Sequence, residues 1–204
     1  MSVFATAGLY SVKPRFQSLL APIADSLAER GVNPDLLTYA ATGLGAISGT
    51  ALALSPRAPA LLWTIPAFCA ARLGLNALDG MVATRRGVAR SWGKVLNELC
   101  DRLSDIAFFA PLLLLPTINP LWASAALATL LLVPFVGVLG ETVVGARQYG
   151  GSMGKADRMA WLGLAAVASA LLSSELPLQL LPIVLVGGSL VTLCQRLERI
   201  HAAL

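Results

Sequence analysis

The sequence predicts an all-α, polytopic membrane protein with six transmembrane helices and an N-terminal amphipathic helix at the membrane surface. Of its 204 residues, 56% are hydrophobic and 13% are charged, and the mean hydropathy is +0.74, far from the balance of a soluble domain. Six apolar segments are separated by short turn-like breaks such as Ser55-Pro56-Arg57. The Lys and Arg residues fall almost entirely on one predicted side of the membrane.

The predicted amphipathic helix covers residues 14–30. Its apolar side chains recur at three- and four-residue steps and form one stripe: Phe16, Leu19, Leu20, Ile23 and Leu27. This pattern is typical of a helix lying in the cytoplasmic interface, and an ordinary packed helix of the bundle is the alternative. Gly31 is expected to end the helix. Asn33-Pro34-Asp35 then supplies an N-cap, a first-turn proline and a first-turn acid for the first span.

The whole chain, residues 1–204, is predicted to be one domain whose residues 36–194 form the six-helix bundle. Its spans are expected at residues 36–54, 59–78, 96–115, 121–143, 159–172 and 176–194. A helix needs about 20 residues to cross about 30 Å of hydrocarbon. The third and fifth segments are fully apolar over a shorter length, so we expect their helices to continue past the bilayer surface.

The basic residues predict the orientation. With a cytoplasmic N-terminus, six spans put fourteen of the fifteen Lys and Arg residues inside and only Arg57 outside. This indicates a multi-pass membrane protein with both termini in the cytoplasm. Topology together with anionic ligands or membrane lipids explains the net charge of +4. No nucleic-acid-binding module is recognisable, so nucleic acid is not an expected partner.

The most polar stretch lies at the junction of the second and third spans. Asn76 and Asp79 are three residues apart, while Asn97, Asp101 and Asp105 advance by fours and share one helix face. Ionisable groups at membrane depth cost about 2.5–3.5 kcal/mol each and usually line a polar cavity or mark function. These two stripes of oxygen donors therefore predict a cavity that faces the cytoplasm.

Clustered carboxylates in a low dielectric raise one another's pKa values, and a hard divalent cation with oxygen ligands, Mg²⁺ or Mn²⁺, relieves the conflict. The surrounding arginines and Gly87 suit a diphosphate bridging to the metal. The alternative is a structural network, for example Asp105 paired with Arg72 or Arg102. His201 is the only histidine, which argues against a His-ligated zinc site and against His-based acid–base chemistry.

The same stretch resembles the motif of the CDP-alcohol phosphatidyltransferase family, D-x2-D-G-x2-A-R-x8-G-x3-D-x3-D. Every spacing is intact, and five positions match: Asp79, Gly80, Ala83, Gly93 and Asp101. Three positions depart from the motif. Asn76 and Asn97 stand at the first and third acids, and Thr84 stands at the motif arginine. The variant is similar to a subgroup of bacterial inner-membrane members with L-N-A-L-D-G and L-N-E motifs.

The resemblance implies metal-dependent transfer of a phosphatidyl group from CDP-diacylglycerol, or a related CDP-lipid, with release of CMP. The acceptor would be a polar alcohol or a sugar phosphate, such as glycerol 3-phosphate or an inositol phosphate. Family members hold two divalent metals with the four motif acids. By position, Asn76, Asp79, Asn97 and Asp101 would ligate one or two Mg²⁺ or Mn²⁺ ions, with Asp101 also the catalytic base. A homodimer is expected from the same resemblance.

Further roles follow by position. The resemblance implies that the nucleotide packs against Gly80, Ala83, Thr84, Arg85 and Gly93. Arg85 would replace the missing motif arginine, and Glu98 and Asp105 would be auxiliary acids that restore the charge lost at the two asparagines.

A second basic region follows the fourth span, at residues 147–158. In the family this region contributes to the acceptor pocket, so Arg147, Lys155 and Arg158 are candidates for acceptor binding, with Glu141 a weaker one. The alternative is a positive-inside loop in which Asp157 caps the fifth span.

Two rival functions remain open. Intramembrane acids also mark ion paths, so a divalent-cation or small-solute transporter is one of them. Against it, no matching set of acids lies on the other side and no internal repeat is found. A catalytically silent nucleotide- or lipid-binding relative is the other, because Asn76 and Asn97 remove two motif charges.

Overall fold

The computed structural model of the protein describes residues 9–204, which contain α-helices and no strand. The helices are α1 (Lys13–Glu29), α2 (Pro34–Leu54), α3 (Ile65–Arg85), α4 (Ser91–Phe109), α5 (Pro120–Val144), α6 (Lys155–Leu172) and α7 (Leu176–Ala202). Short 3-10 segments lie at Leu9–Val12, Pro59–Thr64 and Ala110–Leu114. The all-α class predicted from the sequence is confirmed for this part of the chain.

Each predicted segment coincides with a helix: the amphipathic helix with α1 and the six spans with α2 to α7. Four helical stretches are long and apolar enough to cross a membrane: Pro34–Leu54, Pro59–Arg85, Pro120–Val144 and Leu176–Ala202. α4 contains five charged residues and α6 contains three, within 19 and 18 residues. The count of six spans and the interfacial position of α1 therefore remain predictions.

The turn between α1 and α2 follows the predicted signals. Gly31 has φ +71°, and the Val32 N–H donates to the Leu27 carbonyl at 3.0 Å, which is the glycine-dependent ending known as a Schellman motif. The Asn33 side chain caps α2 by accepting the Asp35 N–H at 3.0 Å.

The chain divides into two units. The first unit, Val12–Pro111, contains α1 to α4; α2 packs against both α3 and α4, and α1 packs against α3. Ala24, Leu37, Leu78 and Val82 form a buried apolar cluster where α1, α2 and α3 meet. Burial of these side chains positions the end of α3, which carries the first half of the motif.

α2 approaches α4 closely because two glycines face that helix. A Cβ built on Gly45 lies 2.8 Å from the Ser104 Oγ, and one built on Gly49 overlaps the carbonyl oxygen of Ala107. A side chain at Gly49 therefore requires a backbone shift. Small residues at such positions let helices in membranes pack backbone to backbone.

The second unit comprises Leu112–Leu204 with residues 9–11, and in it α5 and α6 both pack against α7. The α5–α6 connection is fixed on α7. The Met153 N–H donates to the Thr192 Oγ1 at 2.8 Å, and Gly151, with φ +121°, leaves no room for a Cβ beside Thr192.

We expect Gly49→Ala to destabilise the protein by about 1–3 kcal/mol because the added methyl group overpacks the α2–α4 contact. The midpoint of thermal unfolding of the purified protein in detergent measures this effect. Gly43→Ala is the matched control in the same helix, since no atom lies within 4 Å of a Cβ there. It should leave the midpoint unchanged or raise it. Equal midpoints for the two variants would contradict the close approach at Gly49.

Candidate functional site

Polar side chains of α3 and α4 face each other across a gap in the first unit. In the described part of the chain, no Cα of α3 lies within 8 Å of a Cα of α4, although α2 packs against both helices. The gap between α3 and α4 is therefore bridged by side chains, and these side chains include the motif positions.

Two reciprocal hydrogen bonds join the motif positions, one donated by each helix. Asn76 Nδ2 on α3 donates to Asp101 Oδ1 on α4 at 2.9 Å, and Asn97 Nδ2 on α4 donates to Asp79 Oδ2 on α3 at 2.8 Å. Three residues separate the pair on α3 and four separate the pair on α4, so each pair lies on one helix face. The structure brings the four residues together at one place.

Asp79 is held by groups from three helices. It is 5% exposed, and its Oδ2 accepts from the Thr38 Oγ1 of α2 at 2.9 Å as well as from Asn97. Its Oδ1 accepts the Gly80 N–H at 2.6 Å. Sequence reasoning missed Thr38, because nothing in the chain links a threonine of the first span to an acid 41 residues later.

Asp101 lies near two guanidinium groups. It is 5% exposed, and its carboxylate oxygens lie 3.9 Å from Arg72 Nη2 and 3.8 Å from Arg102 Nη2. Arg72 Nη2 also donates to the Asp101 carbonyl oxygen at 3.2 Å. Arg72 therefore bonds the backbone carbonyl of the predicted catalytic base and lies near its carboxylate.

Arg72 and Asp105 form a fully buried ion pair. Both side chains have 0% exposure, and Arg72 Nη2 donates to Asp105 Oδ1 at 2.8 Å. Arg72 Nε donates to the Ser104 Oγ at 2.6 Å. Arg102 contacts Asp105 Oδ2 at 3.4 Å and Glu98 Oε1 at 3.5 Å. The sequence left two roles open for Asp105, an auxiliary acid of the site or a structural ion pair with Arg72 or Arg102. The structural ion pair is present, and Asp105 makes it with both arginines.

The donor set fits a hard divalent cation. Asn76 Oδ1 is buried and has no hydrogen-bond partner, a state that costs free energy unless another group satisfies it. With the carboxylates of Asp79 and Asp101, this amide oxygen offers the ligand type that Mg²⁺ and Mn²⁺ prefer. Within residues 9–204, no three His, Cys, Asp or Glu side chains form a metal-binding group. The two asparagines leave two charges where the motif has four.

The predicted nucleotide positions lie where α3 ends and α4 begins. Gly80 is exposed, and no atom lies within 4 Å of a Cβ built there; at Gly93 the nearest atom is Arg90 Cγ at 3.6 Å. Ala83 is half-buried, and the exposed Thr84 donates its hydroxyl to the Gly80 carbonyl at 2.9 Å. The surface of α3 at Gly80 therefore has space for a ligand.

The arginine-rich turn after α3 contacts α1 and the start of α2. Arg85 forms a short ion pair with Asp25 of α1, and Arg90 pairs with Asp35 of α2 at 2.5 Å. Gly87, with φ +64°, ends α3 in the same type of turn that ends α1. In this arrangement Arg85 and Arg90 are engaged with carboxylates of the protein.

The predicted acceptor residues belong to the second unit. Arg147 stacks over the Tyr149 ring at 5.0 Å, and Lys155 begins α6 and is half-buried. Arg158 is 2% exposed, and its Nη1 donates to the Leu130 carbonyl at 2.8 Å. Pro134 has no N–H to bond that carbonyl within α5, so Arg158 supplies the missing donor.

Side chains of α6 and α7 hold the connection between α5 and α6 in place. The Ser152 N–H donates to the Gln195 Oε1 at 3.2 Å. Asp157 caps α6 by accepting the Gly154 N–H at 3.0 Å, as the alternative for this region predicted. Arg196, which sequence reasoning treated only as a topological charge, is 7% exposed and donates to backbone carbonyls of α5 and of the α5–α6 connection. Glu141 is exposed.

Comparison with known proteins assigns the family. No protein-family model matches the sequence. The chain is 39% identical over 163 residues to the inner membrane protein YnbA of Escherichia coli, covering 80% of this chain and 81% of YnbA. It is 30% identical over 205 residues to the phosphatidylinositol phosphate synthase of Mycobacteroides abscessus, covering 97% and 90%. The chain therefore belongs to the CDP-alcohol phosphatidyltransferase family. Members of this family are transferases.

Solved structures agree with this membership. The crystal structure of Mycobacterium tuberculosis phosphatidylinositol phosphate synthase (PgsA1) with CDP-DAG bound superposes with a TM-score of 0.67 at 26% identity. The match covers 88% of the present chain and 92% of the PgsA1 chain. The structure of the same synthase with manganese and citrate has a TM-score of 0.69 at 24% identity, covering 88% and 87%, and supports the shared fold.

Arg72→Met should destabilise the protein by about 3–5 kcal/mol, because it leaves the buried carboxylate of Asp105 without its closest partner. Thermal unfolding midpoints in detergent measure the loss. The double variant Arg72→Met/Asp105→Leu removes both charges and should be more stable than the single variant. A single variant as stable as the wild type, or a double variant less stable than the single one, would contradict this role of the pair.

Proposed function

We propose that the protein transfers a phosphatidyl group from CDP-diacylglycerol, or a related CDP-lipid, to a polar alcohol or sugar-phosphate acceptor and releases CMP. Family membership supports the reaction class. The synthase structure with CDP-DAG bound supports a CDP-lipid as the donor. The names of several relatives make an inositol phosphate the first acceptor to test, with glycerol 3-phosphate and other polar alcohols beside it.

One observation carries the proposal. Asp79 on α3 and Asp101 on α4 stand at intact motif positions, and each accepts a hydrogen bond from an asparagine of the opposite helix. A purely structural pair of acids would not need the open surface beside Gly80 or the unsatisfied Asn76 Oδ1. These features support a site for a ligand that brings positive charge and phosphate oxygens.

Asp101 acts in this proposal as the general base. The acceptor hydroxyl oxygen forms a bond to the phosphorus of the phosphatidyl group, and the pyrophosphate P–O bond to CMP breaks. The hydroxyl proton passes to the Asp101 carboxylate, and the bond electrons leave with CMP. Asn76 orients the Asp101 carboxylate through the 2.9 Å hydrogen bond, and Arg72 fixes its backbone carbonyl.

Asn76, Asp79, Asn97 and Asp101 are the residues proposed to hold Mg²⁺ or Mn²⁺. When bound, the cation neutralises charge on the transferring phosphate and on the departing CMP. The nucleotide would lie against Gly80, Ala83, Thr84, Arg85 and Gly93. Arg85 would have to leave Asp25 to reach a phosphate, whereas Gly80 needs no rearrangement.

Arg147, Lys155 and Arg158 remain the proposed contacts for a phosphate on the acceptor, although Arg158 would have to leave the Leu130 carbonyl to make one. The backbone amides of Ser152 and Met153 already donate to side chains of α7, so side chains rather than this stretch of backbone would make the contacts. Glu98 and Asp105 are less suited to the role of auxiliary metal ligands, because both contact Arg102.

We also propose the finer membrane arrangement: one domain of six spans in the bacterial inner membrane, both termini and the site facing the cytoplasm, α1 in the interface, and a homodimer. From Val95 onwards the exposed side chains of α4 are apolar, as lipid contact requires: Val95, Leu99, Leu103 and Ile106. Those of α6 include Trp161, Leu164 and Leu171. Asp101, Ser104 and Asp105 of α4 are buried, which supports its crossing the membrane despite its charges.

Asp101→Asn should lower CMP release from CDP-diacylglycerol by at least about a hundredfold, because it removes the proton acceptor while keeping the shape of the side chain. The assay uses purified wild-type protein with Mg²⁺ or Mn²⁺ and a panel of acceptors. Glu29→Gln, an exposed carboxylate at the end of α1, is the matched control and should retain full activity.

The same assay separates the rival functions. CMP release that requires an acceptor and Asp101 supports the transferase. Cytidine-nucleotide binding without turnover for any acceptor favours the silent relative. Cation movement into vesicles without CMP formation favours the transporter, and either of these results contradicts the proposal.

Gly80→Ala should weaken CMP binding about tenfold or more, because the methyl group occupies the surface on which the nucleotide is proposed to pack. Gly74→Ala is the matched control: it lies in the same helix and also has no atom within 4 Å of a built Cβ. Both changes favour helix formation by up to about 1 kcal/mol, so neither should harm folding. Equal CMP affinity of the two variants, measured by calorimetry, would argue against nucleotide packing at Gly80.

A further inference from the structure

Thr38 contacts the candidate site from α2, a helix that carries none of the motif positions. Thr38 is 5% exposed, and its Oγ1 lies 2.9 Å from Asp79 Oδ2, a normal distance for a hydroxyl that donates to a carboxylate. The same Oγ1 lies 3.4 Å from the Pro34 carbonyl oxygen of its own helix. A threonine has a single hydroxyl proton, and the nearer, charged acceptor binds it more strongly. The proton therefore goes to Asp79.

Apolar packing sets the distance between these two side chains. Leu37 and Leu78 directly precede the two partners in the chain and belong to one buried apolar cluster. The α2–α3 contact therefore determines how closely the hydroxyl and the carboxylate approach. The Asn33 cap also holds the start of α2, one turn before Thr38. A hydrogen bond between groups that packing already holds in place costs little further conformational entropy.

The hydrogen bonds of Asp79 are divided unequally between its two carboxylate oxygens. Oδ2 accepts from the Thr38 hydroxyl at 2.9 Å and from Asn97 Nδ2 at 2.8 Å, and two bonds fill the lone pairs of a carboxylate oxygen. Within residues 9–204, Oδ1 accepts one bond, from the Gly80 N–H. One lone pair of Oδ1 is therefore left for a ligand.

We propose that Thr38 is a positioning residue of the site, whose hydroxyl holds the Asp79 carboxylate so that Oδ1 is presented to the ligand. Without this hydroxyl, Oδ2 keeps an unfilled lone pair, and the carboxylate can turn either oxygen towards the site. The inference rests on the proposed function, because Asp79 is one of the residues proposed there to hold Mg²⁺ or Mn²⁺. Loss of a group that orients a cation-binding carboxylate typically lowers affinity or activity by about 10–100-fold.

A merely structural role for Thr38 predicts a different result. In that case the hydroxyl serves to join α2 to α3, and its removal lowers the stability of the protein without changing the cation affinity of the folded molecules. The affinity of the folded protein therefore separates a positioning role from a structural one.

The test compares variants at position 38 by titrating the purified full-length protein with Mn²⁺ in a calorimeter. Thr38→Val replaces the hydroxyl with a methyl group and should weaken Mn²⁺ binding about tenfold or more. Thr38→Ser keeps the hydroxyl and should bind Mn²⁺ as the wild type does. The matched control is Thr50→Val on the same helix, where the exposed threonine bonds the Ala46 carbonyl. This control should leave the affinity unchanged.

Thermal unfolding midpoints show which variants are folded before the titration. If Thr38→Val fails to fold, Thr38→Ala and Thr38→Ser form the deciding pair, since they differ only in the hydroxyl group. Wild-type affinity in folded Thr38→Val or Thr38→Ala overturns the inference. So does a Thr38→Ser variant that binds as weakly as the variants without a hydroxyl, because the methyl group and not the hydroxyl is then responsible.

Failure of this inference is distinguishable from failure of the proposed function. Wild-type CMP release together with unchanged Mn²⁺ affinity in Thr38→Val contradicts only the role of Thr38. Weakened Mn²⁺ binding in Thr38→Val, without CMP release from the wild type for any acceptor, contradicts only the transferase. Absence of Mn²⁺ binding by the wild type contradicts the role of Thr38, and the CMP assay then decides on the transferase separately.

Discussion

Arg72 and Asp105 are both withdrawn completely from solvent, and neither charge is tolerable there without the other. Their pairing joins α3 to α4 across a gap that their backbones do not close. The guanidinium group that reaches Asp105 also bonds the Asp101 backbone carbonyl and lies near the Asp101 carboxylate. The geometry of the motif acids depends on this pair.

Close packing of α2 complements the polar contacts. Gly45 and Gly49 let α2 pack closely against α4, and α2 also packs against α3. One helix therefore holds both helices that carry the motif residues. From the same helix Thr38 reaches Asp79. Apolar contact thus keeps the frame in position, while hydrogen bonds orient the carboxylates. Both kinds of contact are expected in a membrane protein. Small residues allow helices to pack closely, and polar groups within the bilayer must find hydrogen-bond partners inside the protein.

The asparagine substitutions have a coherent structural consequence. Each replaces a negative charge with an amide that donates to the acid on the opposite helix. The result is a symmetric exchange of hydrogen bonds in which the two remaining carboxylates are retained and oriented. Both carboxylates are therefore fixed in position by donors on the opposite helix.

The sequence by itself determined the helical class, the helices and the motif, because apolar length, helix-capping residues and fixed spacing are local properties. Asn33 and Gly31, for example, mark helix ends through bonds to neighbouring residues. It also indicated that Asp105 could pair with Arg72 or Arg102. Only the tertiary structure decided that Thr38 contacts Asp79, that Arg85 is engaged with Asp25, and that Arg158 bonds the carbonyl left free by Pro134. These contacts join residues far apart in the chain, and long-range partners follow from how helices pack, which no local pattern specifies.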